Sequence, residues 1–279
     1  MTLASVVVTV RGEEPARLDP VEARKMFLGR AAQAIFLDLL GQTSSELAMD
    51  LHAGSDVRPY AIGAMLRAPI TAGEPWQVRL RFSALSETVQ QSLAVLVDRL
   101  PECWRLDGLI GARESVAVSA VEDADAGQSS YQEILNRHLL DARPPESRFS
   151  FRLVSPTTFH QNGRNLPVPL PRLVFGGLVD RWNAFSRLAL SEEVRRYAEE
   201  CLVISQYRLE SRVVDLAGGR QIGAVGMVTY RSLNPDPYWL RVLAALADFS
   251  FFAGIGAKTT MGLGQTRPRP VVPQVRPSP

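Results

Sequence analysis

Short apolar runs and helical stripes alternate along this chain. Ala4–Val10 is a β-branched run ended by Arg11-Gly12 and predicts a buried strand. From Pro20 to Leu40 the residues Phe27, Leu28, Ala31, Ala34, Ile35 and Leu39 recur at helical spacing, and Ser45–Leu51 predicts a second short helix. Arg58-Pro59 marks a turn, because proline pushes the preceding residue towards extended backbone, and Tyr60–Leu66 resumes an extended segment. Trp76–Phe82 alternates strictly, with Trp76, Val78, Leu80 and Phe82 on one face and Gln77, Arg79 and Arg81 on the other. The two arginines are placed either to line a groove for a polyanion or on a solvated edge. Glu87–Leu100 carries one helical stripe, and Leu106–Ile110 and Ser115–Val121 return to strand character.

Residues 123–147 turn polar around a short helical stretch at Tyr131–Leu140, which separates a first domain (1–122) from a second (148–267). The second repeats the order of the first. Phe149–Val154 predicts a strand, followed by the loop SPTTFHQNGRNLPVPLP, a helix through Leu173, Leu178, Trp182 and Phe185, and a helical piece at Glu192–Glu200. Cys201–Leu209, Arg212–Leu216 and Ile222–Tyr230 predict three strands, with Gly218-Gly219 turning between the last two. Pro237 opens a helix striped by Leu240, Leu243, Leu246, Ala247 and Phe251, Gly264–Arg267 predicts a last strand, and 268–279 is a proline-rich tail.

At 279 residues, with 46% hydrophobic and 22% charged, the chain is long enough for a substantial core. No run approaches the roughly 18 uncharged apolar residues of a membrane helix, so no membrane partner is expected and the cytoplasm is the expected location. Cys103 and Cys201 give neither a disulfide framework nor a zinc motif. His52, His138 and His160 stand apart, so no metal and no cofactor are expected. His138 falls in the polar segment and reads as an ordinary exposed residue. Glu192, Glu193, Glu199 and Glu200 flank Arg195 and Arg196, as on a solvated, ion-paired helix face. The net charge is only +2, but nearly all the positive charge is arginine. Lys25 and Lys258 are the sole lysines. Codon preference accounts for that bias as readily as phosphate binding does.

Lys258 lies in the segment Gly254-Ile255-Gly256-Ala257-Lys258-Thr259-Thr260-Met261-Gly262-Leu263-Gly264. Glycines at that density let backbone approach a phosphate and aim N–H groups at it. A P-loop would need glycine before the lysine and a helix after it, and a dinucleotide fingerprint fails on the same missing helix. A bare glycine turn remains the alternative.

This segment resembles the glycine-rich loop of the CRISPR-associated repeat-RNA processing endoribonucleases, the sixth Cas family, in the RAMP superfamily. Leu51-His52 with Arg58-Pro59-Tyr60, then SPTTF, NLPVPLPRLVF and Arg181-Trp182-Asn183-Ala184-Phe185, are similar to further motifs in the family's order. The resemblance implies an α+β fold of two tandem ferredoxin-like (RRM-like, βαββαβ) domains. It also implies metal-independent cleavage of CRISPR repeat RNA to crRNA by 2′-hydroxyl attack, with other Cas effector proteins as possible partners.

Within that chemistry His52 fits the base, since imidazole titrates near neutrality. Without the resemblance it would read as capping the short helix. Arg58 fits the stabiliser of phosphorane charge, where the family often has lysine. The family's helix tyrosine has no counterpart in Ala34–Leu40, which leaves Arg30 or Lys25 as substitute donors. The loop residues Gly254, Gly256, Lys258, Thr259, Thr260, Gly262 and Gly264 are expected to contact RNA. His160 and Arg164 are placed to stack on a base or meet phosphate, or to be plain loop residues. A non-catalytic RAMP subunit that only binds crRNA would keep all these features except the need for His52.

Overall fold

The computed structural model describes residues 2–12, 26–53, 57–67, 75–216 and 219–269. The first half runs β1 (Thr2–Arg11), α1 (Gly29–Thr43), α2 (Ser45–Ala53), β2 (Tyr60–Arg67), β3 (Gln77–Ala84), α3 (Glu87–Val97), β4 (Cys103–Leu106) and β5 (Leu109–Ala117). Its sheet is antiparallel, in the order β2-β3-β1-β5-β4. The second half runs β7 (Arg148–Thr157), β8 (Phe159–Gln161), β9 (Arg164–Leu166), α5 (Pro171–Phe185), α6 (Glu193–Cys201), β10 (Leu202–Leu216), β11 (Gly219–Ser232), α7 (Pro237–Ala253) and β12 (Thr266–Arg269). Its sheet, β10-β11-β7-β12, repeats the first once the edge strand β4 is set aside, so both are ferredoxin-like βαββαβ arrangements. No described helix is long and apolar enough to cross a membrane.

Burial explains why β1 is apolar at nearly every position. Val6, Val8 and Val10 pack with Phe36 and Leu40 of α1 and Leu93 of α3. On the other face Leu3 joins the core of the second half, and Val7 packs on Ala117 and Ala126. In α7, Asp236 caps the N-terminus by accepting from the N–H groups of Tyr238 and Trp239 at 2.9 and 3.2 Å, and Pro237 needs no partner there.

Four segments differ from the sequence expectation. Cys201–Leu209 and Arg212–Leu216 fall in one strand, β10. Leu106–Ile110 is not one continuous strand but the end of β4 and the start of β5 around a two-residue turn, with Asp107 and Gly108 at φ 49° and 86°. The expected loop after β7 holds the small β8–β9 hairpin, turned by Asn162-Gly163 at φ 51° and 73°. The polar segment contains β6 (Gly127–Ser130), paired with β1, and α4 (Tyr131–Leu139), which buries Tyr131, Ile134 and Leu135 in the second core. Tyr131 meets Trp182 edge-on at 4.8 Å and donates its hydroxyl to the Leu85 carbonyl at 2.8 Å.

Arg79 and Arg81 neither line a groove nor stand on a solvated edge, because the second half covers that face of the sheet. Arg81, 5% exposed, donates from Nε to Ser5 Oγ at 2.7 Å and from Nη2 to the Phe251 carbonyl. Its guanidinium lies 4.1 Å from the Phe251 ring centroid. Burial pulls its pKa down to about 10 against the pull of Asp125, so it stays charged at neutral pH. Asp125, 3% exposed, receives Nε and Nη2 of Arg267 and lies 3.2 Å from Arg79. Burial pushes its carboxyl up, but Arg267, Arg81 and Arg79 outweigh this and hold it below the ordinary value.

Asp125→Asn is expected to cost about 3 kcal/mol, since it leaves buried cations without their counter-charge. A carboxyl with a depressed folded pKa stabilises above its unfolded value of about 3.9, and that contribution is lost as pH falls through the folded value. The gap between wild type and variant in urea midpoint should therefore be full at neutral pH and shrink on acidification. A second contact between the halves is equally exposed to test. A Cβ on Gly29 would lie 2.0 Å from the Met261 carbonyl oxygen, whereas one on Gly177 meets nothing within 4 Å. Gly29→Ala should lower the thermal midpoint by several degrees and Gly177→Ala should not.

Candidate functional site

The glycine-rich segment leaves α7 at Gly254 and returns into β12. Gly254, Gly256, Gly262 and Gly264 have φ of 65°, 80°, 87° and 69°, and Lys258 is itself left-handed at 58°. A Cβ on Gly264 would lie 1.9 Å from the Ile255 carbonyl oxygen, and one on Gly256 2.3 Å from that of Thr158. Glycine is required here by close approach of the protein's own backbone. The segment is tied by Ile255 N–H to the Gly264 carbonyl at 2.8 Å, Ala257 N–H to that of Thr158 at 2.7 Å and Gly264 N–H to that of Pro156 at 3.0 Å.

Arg181 of α5 braces it, donating to the Gly254 carbonyl at 3.1 Å and also to that of Gly256. Desolvation brings its pKa down to about 10, which leaves it charged. Thr158 is fully buried, and its hydroxyl is the one buried side-chain oxygen or nitrogen without a partner among the described residues. On its other side the loop meets the first half, with Gly262 against Gly29 and Gln265 against Gly63. Val214 and Leu216, near the β10–β11 turn, cover Leu263 together with Phe27 and Met261. Thr259 is buried, while Lys258 and Thr260 stay half-exposed.

The other residues singled out from sequence are distributed around both halves, Arg30 nearest the loop. Arg30 is exposed on the first turn of α1, beside Gly29 and hence beside the loop. His160 is exposed on β8, two residues beyond the carbonyl that receives Ala257, and its Nδ1 lies 3.5 Å from Asn165 Oδ1. Arg164 is exposed on β9. His52 occupies the last turn of α2. Arg58 donates from Nη1 to the Leu51 carbonyl, which sets a cation at the C-terminal end of the helix that carries His52. Lys25 lies outside the described residues, as does the side chain of His52.

Arg181 opens the segment Arg181-Trp182-Asn183-Ala184-Phe185, and only the fold reveals its carbonyl contacts. Tyr60 follows Arg58-Pro59, and its buried hydroxyl accepts from Gln33 Nε2 of α1 at 3.1 Å; burial raises its pKa above the ordinary value. His138 is not an ordinary exposed residue, since its Nε2 lies 2.8 Å from Asp248 Oδ2, which Arg137 also reaches at 2.9 Å. The ion-paired face of α6 is as expected, with Arg195 on Glu192 at 3.5 Å and Arg196 on Glu193 at 2.5 Å.

A family model described as CRISPR-associated endoribonuclease Cas6 matches residues 151–266. The CRISPR-associated endoribonuclease Cas6 of Mycobacterium tuberculosis is 26% identical over 223 residues, 78% of this chain and 65% of the relative. The chain thus spans just under two thirds of the length of that curated relative. Among solved structures, a Cas6 product complex superposes with a TM-score of 0.79 at 27% identity, over 96% of this chain and 100% of that one. Thermus thermophilus Cas6 superposes with a TM-score of 0.74 at 26% identity, over 96% and 98%. With the two ferredoxin-like sheets and the glycine loop between them, the chain is similar to the Cas6 CRISPR-associated endoribonucleases, in sequence over residues 151–266 and in fold over nearly its whole described length.

Proposed function

We propose that the chain cuts CRISPR precursor RNA within the repeat to release guide RNA, by metal-independent transesterification. The observation that carries this reading is the glycine loop itself, which bears half-exposed Lys258, packs on Gly29 beside exposed Arg30 and is tied to Thr158 at the start of the hairpin with His160 and Arg164, in a chain whose structural relatives include a Cas6 bound to product. The 2′-oxygen bonds to the adjacent phosphorus as the bond from phosphorus to the 5′-oxygen breaks. A 2′,3′-cyclic phosphate and a 5′-hydroxyl result.

His52 is the base that takes the 2′-hydroxyl proton, because its ordinary pKa lets a neutral imidazole and its protonated form both exist near pH 7. Arg58, braced at the end of the same helix, stabilises the charge that builds on the phosphorane. Lys258 and the half-exposed loop backbone hold the strand, with Arg30, His160 and Arg164 along its path. Repeat RNA is the partner, other Cas effector proteins receive the product, and the cytoplasm is the site of action.

Wild-type protein should cleave cognate repeat RNA in the presence of a chelator, and a 2′-deoxy nucleotide at the cut should stop it. His52→Ala should lose at least a hundredfold in cleavage rate while its RNA affinity changes little. Full turnover by that variant removes the base assignment, and binding without cleavage by wild type turns the chain into a guide-RNA-binding subunit. Lys258→Met should weaken binding and reduce the slope of log affinity against log salt by about 0.7, read by filter binding over a salt series.

A further inference from the structure

Many surface arginines of the described chain sit on carboxylates, such as Arg172 on Glu199 and Arg143 on Asp141. Other exposed arginines have no such partner, and four of these fall together on one sheet. Arg148, Arg152, Arg208 and Arg231 have no ion pair among the described residues. Register places all four on one face. Arg152 is opposite Met227, which is opposite Arg208, and Arg148 is opposite Arg231. Opposed residues of antiparallel strands point to the same side. The other side carries Phe149, Phe151 and Leu153 into the core with α5 and α7. The arginines therefore lie across the sheet from the helix whose Arg181 braces the glycine loop.

Strand spacing puts Arg208 and Arg152 about 10 Å apart and Arg148 and Arg152 about 13 Å apart at the backbone. Between them stand only uncharged groups, Met227 and the hydroxyls of Ser150 and Thr229, which are 2.8 Å from each other. On the β12 side register sets Arg267, already bound to Asp125, opposite Arg152, and along β10 the carboxylate of Glu210 is held by Arg212 at 2.9 Å. Four cations gathered on a flat surface, none with a carboxylate of its own, repel one another, and a polyanion relieves that repulsion. The patch itself offers no aromatic anchor of the kind that dominates protein interfaces, and guanidiniums suit phosphate oxygens.

We infer that this open sheet face is a second RNA site, separate from the glycine loop, which binds a single-stranded stretch of the precursor flanking the segment held there. The inference rests on the proposed function for the identity of the RNA. Without stacking residues, the site grips phosphates and reads little sequence.

The test compares cognate repeat RNA with and without a single-stranded extension, on full-length wild type and on the double variant R152Q/R208Q, with thermal melting to confirm folding. Wild type should bind the extended RNA more tightly than the bare repeat. The variant should lose that preference, lower the salt slope for extended RNA by about 1.4, and still bind and cleave the bare repeat as wild type does. Equal affinity and slope for the two proteins on extended RNA overturns the site and leaves the face to an acidic protein. Absence of RNA binding by wild type overturns the functional reading along with it, so the two failures are distinct.

Discussion

Asp125 and the guanidiniums around it set the relation of the two sheets. Arg79 and Arg81 come from β3, and Arg267 from β12. A carboxylate as buried as this one would not stay ionised without cations, and the cations would not tolerate one another without it. The same clasp reaches both ends of the glycine segment. Arg81 holds the carbonyl of Phe251, three residues before Gly254, and Arg267 lies three residues after Gly264. The loop is thereby presented to the first half from two fixed points, and its shape follows from that spacing together with the brace from Arg181.

Those contacts change what the glycines mean. As sequence, they suggest backbone bared to a phosphate. In the fold their missing side chains admit the carbonyls of Ile255, Thr158 and Gly264 and the backbone of Gly29. The exposed or half-exposed polar groups that the proposed function assigns to RNA come from separate stretches of chain: Lys258 from the loop, Arg30 from α1, and His160 and Arg164 from the β8–β9 hairpin. The loop's glycines serve its own close packing.

Much of the architecture could be read from periodicity, because most helices bury one stripe and α7 carries its own cap. The misreadings have separate causes. β1 is covered on both faces, so its uniform apolarity hid the contribution of the second half to its burial. The small hairpin was missed although Asn162-Gly163 is a strong turn signal, because its strands are only three residues long and polar. Arg79 and Arg81 look solvated in an alternating strand, and their bonded partners lie 44 to 170 positions away, beyond any local pattern. At the site, His52, Arg58 and Lys258 stand out as residue types, whereas Arg181 and Thr158 acquire importance only from what they touch.

Ser130 is both the last residue of β6 and the N-cap of α4. Its Oγ accepts from Glu133 N–H at 3.1 Å, and its own N–H donates to Glu133 Oε2 at 2.9 Å. One neighbour in the chain is stitched into the first sheet and the other begins a helix sunk in the second core, with no slack residue between. A hinge needs residues free to absorb backbone rotation, and this joint has none. The two halves therefore move as a single block there, and accommodation of a bulky ligand falls to the side chains and hairpin at the rim.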